Sequence, residues 1–373
     1  MNILILCTFK GFGGAETYTI AHYKSLLKKN FNVNLLVPKN SYLEMELKKR
    51  NLNFYVYKQI NIFNFTFQPF LTRTIYKLVK KHNIKIVHVN GPKDIIYLKK
   101  LANKIDIKKI VTRHATAKIK TKYLKHFDGI VGVSKKISDD IEEQCLKNNL
   151  KTIKVSTIAP FFEEEKFLNF RTPAISKFNF FKNNFNLNLN EYPLLCMIAN
   201  FNGSLENKNH KLIFQAIYKL IYEKFLFVNL ILCGTGPKEK ILKNIVKTLN
   251  IEKYVHFLGH TTNIAEILFY CDVKVLTSNN EAFSIALEEA AIMKKPIIAS
   301  SNTGMENIVL NGKTGLLFKK NNLDDLVNKI ETILKNKNLQ KQLGKNAYNH
   351  VKNNFISDIL IEKLDKFYKE INN

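Results

Sequence analysis

The feature that most constrains this chain is an alternation, carried through twice, of short apolar runs with longer amphipathic stretches. Asn2–Cys7, Val33–Val37, Phe54–Tyr57, Ile86–Asn90, Lys109–Arg113, Gly129–Val133 and Lys154–Ile158 are short strand-like runs, most of them rich in Ile, Val and Leu. Such near-continuous apolar runs are the pattern of strands covered on both faces. Between them, Ala15–Lys29, Tyr42–Arg50, Leu71–His82 and Ile95–Ala102 place apolar residues at helical spacing. Strand–helix alternation predicts an α/β fold with a doubly wound parallel sheet.

The alternation stops in a stretch of mixed Phe, Asn and Lys and then resumes. The second series of strands is expected at Leu194–Ala199, Val228–Cys233, Val255–Leu258, Val273–Thr277, Ile297–Ala299 and Gly315–Phe318. Helices are expected between them, among others over Lys211–Lys224, Lys238–Leu249, Asn263–Phe269, Ser284–Met293 and Asp324–Lys335. The organisation this predicts is an N-terminal Rossmann-like domain over residues 1–165, a linker over 166–190 and a second Rossmann-like domain over 191–345. C-terminal helices over 346–373 would return to the first domain, and the two sheet rims would face each other across a cleft.

Chemistry is expected at the C-terminal rims of these sheets, where open α/β folds bind ligands. Glu281 and Glu289 stand eight positions apart, Glu281 just after a strand and Glu289 on the helix that follows. Free N–H groups around Phe283, Ser284 and Ile285 suit a phosphate. Carboxylates would repel that phosphate, so the two glutamates suit sugar hydroxyls better. Lys208 precedes a helix at another rim, where its ammonium suits a diphosphate. In the first half, Gly11-Phe12-Gly13-Gly14-Ala15-Glu16 follows the first strand and opens the first helix. It reads equally as a phosphate loop or a tight turn. The dinucleotide fingerprint is disfavoured, because Glu16 stands where a third glycine is required and Val37-Pro38-Lys39 ends the second strand without an acid. His114 ends a strand on the ligand rim. No D-x-D and no metal-ligand spacing occurs, so a diphosphate leaving group would be neutralised by cations and helix N-termini, with no metal and no cofactor.

Charge adds a second theme. The net charge is +27, and residues 1–180 carry 33 Lys and Arg against 13 Asp and Glu, while the rest carries 25 against 18. An A/T-biased codon usage explains many of the lysines but not their asymmetry. Five cysteines without metal spacing read as buried free thiols of a reducing cytosol. No apolar run approaches the roughly 20 residues of a membrane span. The expected location is cytoplasmic, peripheral on the inner face of the membrane. The first domain would dock on an anionic leaflet, with the helix Leu71–His82 (Arg73, Lys77, Lys80 and Lys81 alongside Ile75, Leu78 and Val79) as the candidate surface.

The motifs in order resemble a known family. Val255-His256-Phe257-Leu258-Gly259-His260, Cys271-Asp272-Val273, Glu281-Ala282-Phe283-Ser284 through Glu289-Ala290, Lys295-Pro296-Ile297-Ile298-Ala299-Ser300, Glu306 and Gly312-Lys313-Thr314-Gly315-Leu316-Leu317 look like the donor-binding half of the retaining GT-B glycosyltransferases of family four. Gly13-Gly14-Ala15-Glu16, His114 and Ile130-Val131-Gly132-Val133-Ser134 match landmarks of its acceptor-binding half. The resemblance implies a metal-independent retaining transferase that moves a hexose or N-acetylhexosamine from a nucleotide sugar, UDP favoured, to a glycan or lipid-linked acceptor. It implies that Glu289 holds the ribose and Glu281 the hydroxyls of the transferred sugar, while Phe283, Ser284 and Ile285 line the sugar–phosphate pocket. Lys208, Gly13 and Gly14 would meet the pyrophosphate, and His114 the sugar near its reacting carbon. The family's arginine near Asn200 or Asn202 is missing here, which leaves Lys208, or another base such as Lys211, to carry more of the phosphate charge. Two rivals stay open: a UDP-sugar epimerase of similar architecture, and a basic nucleic-acid-binding protein. The second has only sparse aromatics in its basic stretch and no nucleic-acid motif.

Overall fold

The computed structural model describes residues 1–9, 13–62, 65–67, 70–101, 104–202, 204–302 and 304–372. Gly11 and Phe12 of the glycine loop, and Ala102 at the end of an expected helix, lie outside the described residues. Contacts divide the chain into an N-terminal unit, Met1–Glu163 together with the chain from Phe355 on, and a second unit, Glu164–Asn354.

Among the described residues the N-terminal unit has nine strands: β1 Asn2–Leu6, β2 Asn32–Pro38, β3 Tyr55–Tyr57, β4 Ile60–Ile62, β5 Phe65–Phe67, β6 Ile86–Val89, β7 Lys108–Arg113, β8 Gly129–Gly132 and β9 Lys154–Thr157. Seven form one parallel sheet in the order β3-β2-β1-β6-β7-β8-β9, and β4 pairs antiparallel with β5. Ile3, Leu4, Ile5 and Leu6 are fully buried. Covering both faces of β1 in this way contributes about 1.5–3 kcal/mol per side chain against leaving it exposed.

The second unit carries β10 Leu194–Ile198, β11 Asn229–Cys233, β12 Val255–Gly259, β13 Val273–Leu276, β14 Ile297–Ser300 and β15 Leu316–Phe318, all parallel in the order β12-β11-β10-β13-β14-β15. In each sheet the strand that comes first in sequence is flanked by strands that wind away in opposite directions. The switch points are therefore β1/β6 and β10/β13.

Local chemistry explains many helix ends. Ser41 Oγ accepts from Glu44 N at 3.1 Å, capping the helix Tyr42–Lys49. Several helices stop at an asparagine in the left-handed region: Asn30, Asn51, Asn83, Asn149, Asn186 and Asn250. In this Asn-rich chain asparagine fills the stop position that glycine usually takes.

Some expectations need correction. The stretch expected as a linker holds two helices, Glu165–Leu168 and Lys177–Phe185, and Phe180 and Phe181 are buried among aromatic neighbours. Of the C-terminal helices, Lys337–Asn354 lies with the second unit. Only Ser357–Asn372 packs on the first, where Tyr368 OH meets His88 Nδ1 at 2.6 Å. A Cβ on Gly129 would stand 2.2 Å from Ile371 Cδ1, so this glycine admits that helix against the sheet. The helix expected over Lys211–Lys224 is α-helical only from His210 to Tyr218 and closes in a wider π turn over Lys219–Glu223.

Candidate active site

In the second unit, the loops after β10 and β13 are stitched together at the switch point. Thr277 Oγ1 lies 3.1 Å from the Lys208 carbonyl and 3.0 Å from that of Asn209, to which it donates. Asn279 donates its backbone N–H to Asn207 O at 2.8 Å and its side-chain amide to Glu206 O at 2.9 Å. These bonds bring Lys208 onto Glu281, and Lys208 Nζ donates to Glu281 Oε1. The side chains are 24% and 14% exposed, so the pair is sheltered but reachable. Truncating one partner would leave the other charge half-buried and unmatched. The sequence assigned these residues separate roles, and the structure joins them.

The loop after β14 supports the same place. Asn302 Nδ2 donates to Ser278 O at 3.0 Å, and Ser300 Oγ donates to the same carbonyl. A Cβ on Gly304 would lie 2.0 Å from Glu281 O, so only glycine lets this loop close on Glu281. Gly234, after β11, is packed likewise, because a Cβ there would fall 2.1 Å from Ala199 O. Packing by itself accounts for that glycine.

Ser284 stands at the N-cap of the helix Ile285–Ile292 in extended conformation, and its side chain makes no capping bond. The first-turn N–H groups have no carbonyl within the helix, and they form the positive end of its dipole. Phe283 precedes this cap, and half-buried Glu289 lies further along the same helix. The next residue back is different in kind. Glu288 is fully buried, and neither carboxylate oxygen has a hydrogen-bond partner. Burial, then the charges of Glu289 and Glu164, push it well above the usual carboxylate range. Lys274 on β13 is also fully buried with its Nζ unpartnered, and burial lowers its ammonium pKa. Sequence reasoning missed both. The available signals were a lysine interrupting Val273-Lys274-Val275-Leu276 and a glutamate in helical phase with Ser284 and Ile292.

In the N-terminal unit, Gly13 is the extended N-cap of the helix Gly14–Lys28, and a Cβ on Gly14 would meet nothing within 4 Å. The backbone at Gly14 therefore borders open space. His114 follows β7 with its ring 4.4 Å from Tyr18, edge-on, and its Nε2 has no hydrogen-bond partner. Burial, then Arg113, hold the imidazole neutral, its pKa down to about 4. It is one of three packed histidines. His22 stacks on Phe161 at 5.1 Å with both ring nitrogens unpartnered, and burial and His114 bring it down to about 3. His88 Nε2 meets Thr112 Oγ1 at 2.7 Å. A neutral imidazole here can hydrogen-bond a hydroxyl, but it is a weak base.

On the helix Leu71–His82, Arg73, Lys77, Lys80 and Lys81 are exposed, whereas Ile75, Leu78 and Val79 are buried in the unit's own core. The expected amphipathic docking face is thus reduced to its cations, because the apolar stripe is already buried within the unit. Phe70, at the helix start, is 72% exposed with φ of 65°. Among the described residues, no helix is long and apolar enough to cross a membrane, and no group of His, Cys, Asp and Glu is arranged to hold a metal ion.

Two family models match this chain, one described as Glycosyltransferase Family 4 over residues 12–155 and the other as Glycosyl transferases group 1 over residues 179–350. The N-acetyl-alpha-D-glucosaminyl L-malate synthase of Bacillus anthracis is 29% identical over 178 residues, which is 48% of this chain but 45% of that enzyme. The UDP-Gal:alpha-D-GlcNAc-diphosphoundecaprenol alpha-1,3-galactosyltransferase of Escherichia coli is 25% identical over 95% of this chain and 93% of its own length. Anabaena HepE, solved in complex with UDP-glucose, superposes with a TM-score of 0.81 over 99% of this chain and 100% of its own, at 16% identity. At that identity the likeness is one of fold.

Proposed function

The chain belongs to the GT-B glycosyltransferases of family 4, and on that premise we propose that it moves a hexose or N-acetylhexosamine from a UDP-sugar to a glycan or lipid-linked acceptor, with retention at the anomeric carbon and without a metal. The observation that carries this reading is the stitched β10/β13 switch point, where Lys208, Glu281 and the helix N-terminus at Ser284 are neighbours. Lys208 and the first-turn N–H groups of that helix supply positive potential for a leaving diphosphate. Phe283, Ser284 and Ile285 line the sugar–phosphate position. Glu281 accepts from hydroxyls of the transferred sugar while it fixes the Lys208 ammonium, and Glu289 accepts from the ribose. Gly13 and Gly14 offer backbone N–H groups, and His114 a neutral imidazole nitrogen, to the substrate. In this mechanism the bond between the anomeric carbon and the diphosphate breaks as the acceptor oxygen bonds that carbon from the same face. The acceptor's proton passes to the departing phosphate oxygen. Such a step needs no enzymatic nucleophile and no strong base, which suits an imidazole kept neutral at ordinary pH by a pKa of about 4.

The acceptor side of the proposal includes a membrane surface. Exposed Phe70 beside the cations of Leu71–His82 would add an apolar contact to their attraction for an anionic leaflet, each cation contributing about 1 kcal/mol. The test is incubation of the protein with radiolabelled UDP-hexoses and UDP-N-acetylhexosamines, with and without bacterial membranes. Label entering membrane lipid or polymer is the expected result. Epimer or free sugar formed equally well without any acceptor, or no turnover with any nucleotide sugar, would overturn it.

A further inference from the structure

The switch point of the N-terminal sheet holds a second polar group of a different character. Just beyond β1, Thr8 Oγ1 donates to Asp94 Oδ1 at 2.8 Å, across the β1/β6 boundary. Asp94 is only 5% exposed, yet its Oδ2 has no hydrogen-bond partner. Tyr57, at the end of β3, is 3% exposed with its hydroxyl also unpartnered, and Gln59 Oε1 two residues on is in the same condition. Buried polar atoms without partners are uncommon because each carries a desolvation cost that no bond offsets. Tyr57 and Asp94 are close enough for the Asp94 charge to act on the phenol, on the rim where α/β sheets bind ligands. Beside them Phe9 is 41% exposed, a free aromatic face. Gly91 shows how close Phe9 and Asp94 stand, since a Cβ there would be 3.1 Å from Asp94 Oδ2 and 3.6 Å from Phe9 Cζ.

We propose that this switch point is a sugar-reading subsite. The Phe9 ring would stack against a pyranose face, Asp94 Oδ2 would accept from one sugar hydroxyl, and the Tyr57 hydroxyl would donate to another sugar oxygen. The proposal rests on the transferase reading and deepens it: the accepting end of the second substrate is an uncharged sugar, not a phosphate and not the lipid itself. A carboxyl beside a phenol disfavours a phosphate, and an aromatic face with hydrogen-bonding groups at its edge matches a ring that is apolar on its face and polar on its rim. Burial moves the Asp94 carboxyl up to about 7 against the opposing bonds from Thr8 and Gly91, so near neutrality it serves hydroxyls as either acceptor or donor. The Tyr57 phenol is pushed higher still, first by burial and then by Asp94, and stays a donor. A site built to bond a hydroxyl rejects an analogue lacking it far more strongly than an apolar pocket rejects a missing methylene.

The experiment is ligand-observed saturation-transfer NMR on the full chain. The probes are the methyl glycosides of glucose, galactose, N-acetylglucosamine and N-acetylgalactosamine, with inorganic phosphate as competitor and UDP as a separate donor-site probe. At least one glycoside should bind without displacement by phosphate. Tyr57→Phe and Asp94→Asn should each weaken it by about fivefold or more, the worth of a typical net hydrogen bond, and Phe9→Ala should weaken it by about as much through loss of the stacked ring. Phe9 is exposed, so Phe9→Ala remains informative even if Asp94→Asn does not fold. Binding of UDP with no glycoside binding, glycoside binding that none of the three variants changes, or displacement by phosphate would each overturn the subsite and leave the transferase reading intact. Glycoside binding that the variants weaken, with no binding of UDP, would support the subsite and count against the donor assignment. If neither probe binds, both fall.

Discussion

The two sheets share a winding order, yet their switch points carry opposite chemistry. At β10/β13 an ammonium and a carboxylate are held together beside a helix N-terminus, an arrangement suited to a phosphate flanked by hydroxyls. At β1/β6 there is a buried carboxyl, a phenol and an exposed aromatic ring, which suits hydroxyls alone. Topology fixes where each crevice lies, and the loops that end the strands decide what it takes. The comparison also explains why the missing arginine near Asn200 and Asn202 matters only in the second unit: the diphosphate site proposed there must supply cations, and Lys208 is fixed in place by Glu281.

The sharpest way to break the contrast is at its charged half. Lys208→Ala and Glu289→Ala should each weaken UDP binding by roughly ten- to a hundredfold, since a hydrogen bond to a charged group contributes about 1.5–3 kcal/mol. Isothermal calorimetry measures it. Wild-type affinity in both variants would leave the second switch point no claim to the nucleotide. Glu281→Ala should act chiefly on turnover, separating its role from that of Glu289.

Next in size is the scaffold of that site. Gly304→Ala puts a methyl against the Glu281 carbonyl, and overpacking of this kind costs about 1–3 kcal/mol. A lowered melting temperature and lost turnover are expected together, and an alanine tolerated in both would show that the loop does not hold Glu281. Lys274→Met should go the other way. It removes a buried, unpartnered ammonium at similar volume, and a gain of about 1 kcal/mol in urea titrations is expected.

A smaller and more diagnostic effect lies in the pH dependence of the N-terminal unit. His22 and His114 have pKa values depressed below the ordinary 6.5, so their contribution to stability is present above about 6.5 and is lost as pH falls toward about 4 for His114 and about 3 for His22. Asp94 and Glu16 are raised to about 7, so theirs is full at low pH and is lost as pH rises from the ordinary carboxylate range to about 7. The two sets oppose each other across one window, and thermal melts of variants separate them. Relative to the wild type, His22→Phe should gain most at the acid end and Asp94→Asn at the neutral end. Parallel curves for both would remove the assignment of these groups as buried and neutral. The smallest expected effect is that of chelation. Turnover should survive EDTA, and loss restored by Mg²⁺ or Mn²⁺ would show that cations of the chain do not suffice for the leaving group.

Much of this was legible before folding was considered. Apolar runs such as Ile3–Leu6 and Leu230–Leu232 can be strands only in a sheet covered on both faces, and their alternation with helices leaves few topologies. Helix Leu71–His82 was readable to the residue because its periodicity is unbroken. The segment over 166–190 was not, since its Phe residues pack on partners from elsewhere in the chain and have no period of their own. Nor could the sequence foresee that Ile75, Leu78 and Val79 would be consumed by the core.

By itself, then, the sequence determined the two α/β units, the rims on which chemistry could stand, and the identity of Glu281, Glu289, Lys208 and His114 as candidates. Periodicity and loop position are local properties that a linear chain can display. Only tertiary structure decided that Lys208 would lie on Glu281, 73 positions away in sequence, and that Asp94 would meet Thr8, 86 positions away. It also decided that Glu288 and Lys274 would be buried without partners. The reason is physical: pairing and desolvation depend on which strand ends become neighbours, and that is settled by the packing of whole sheets.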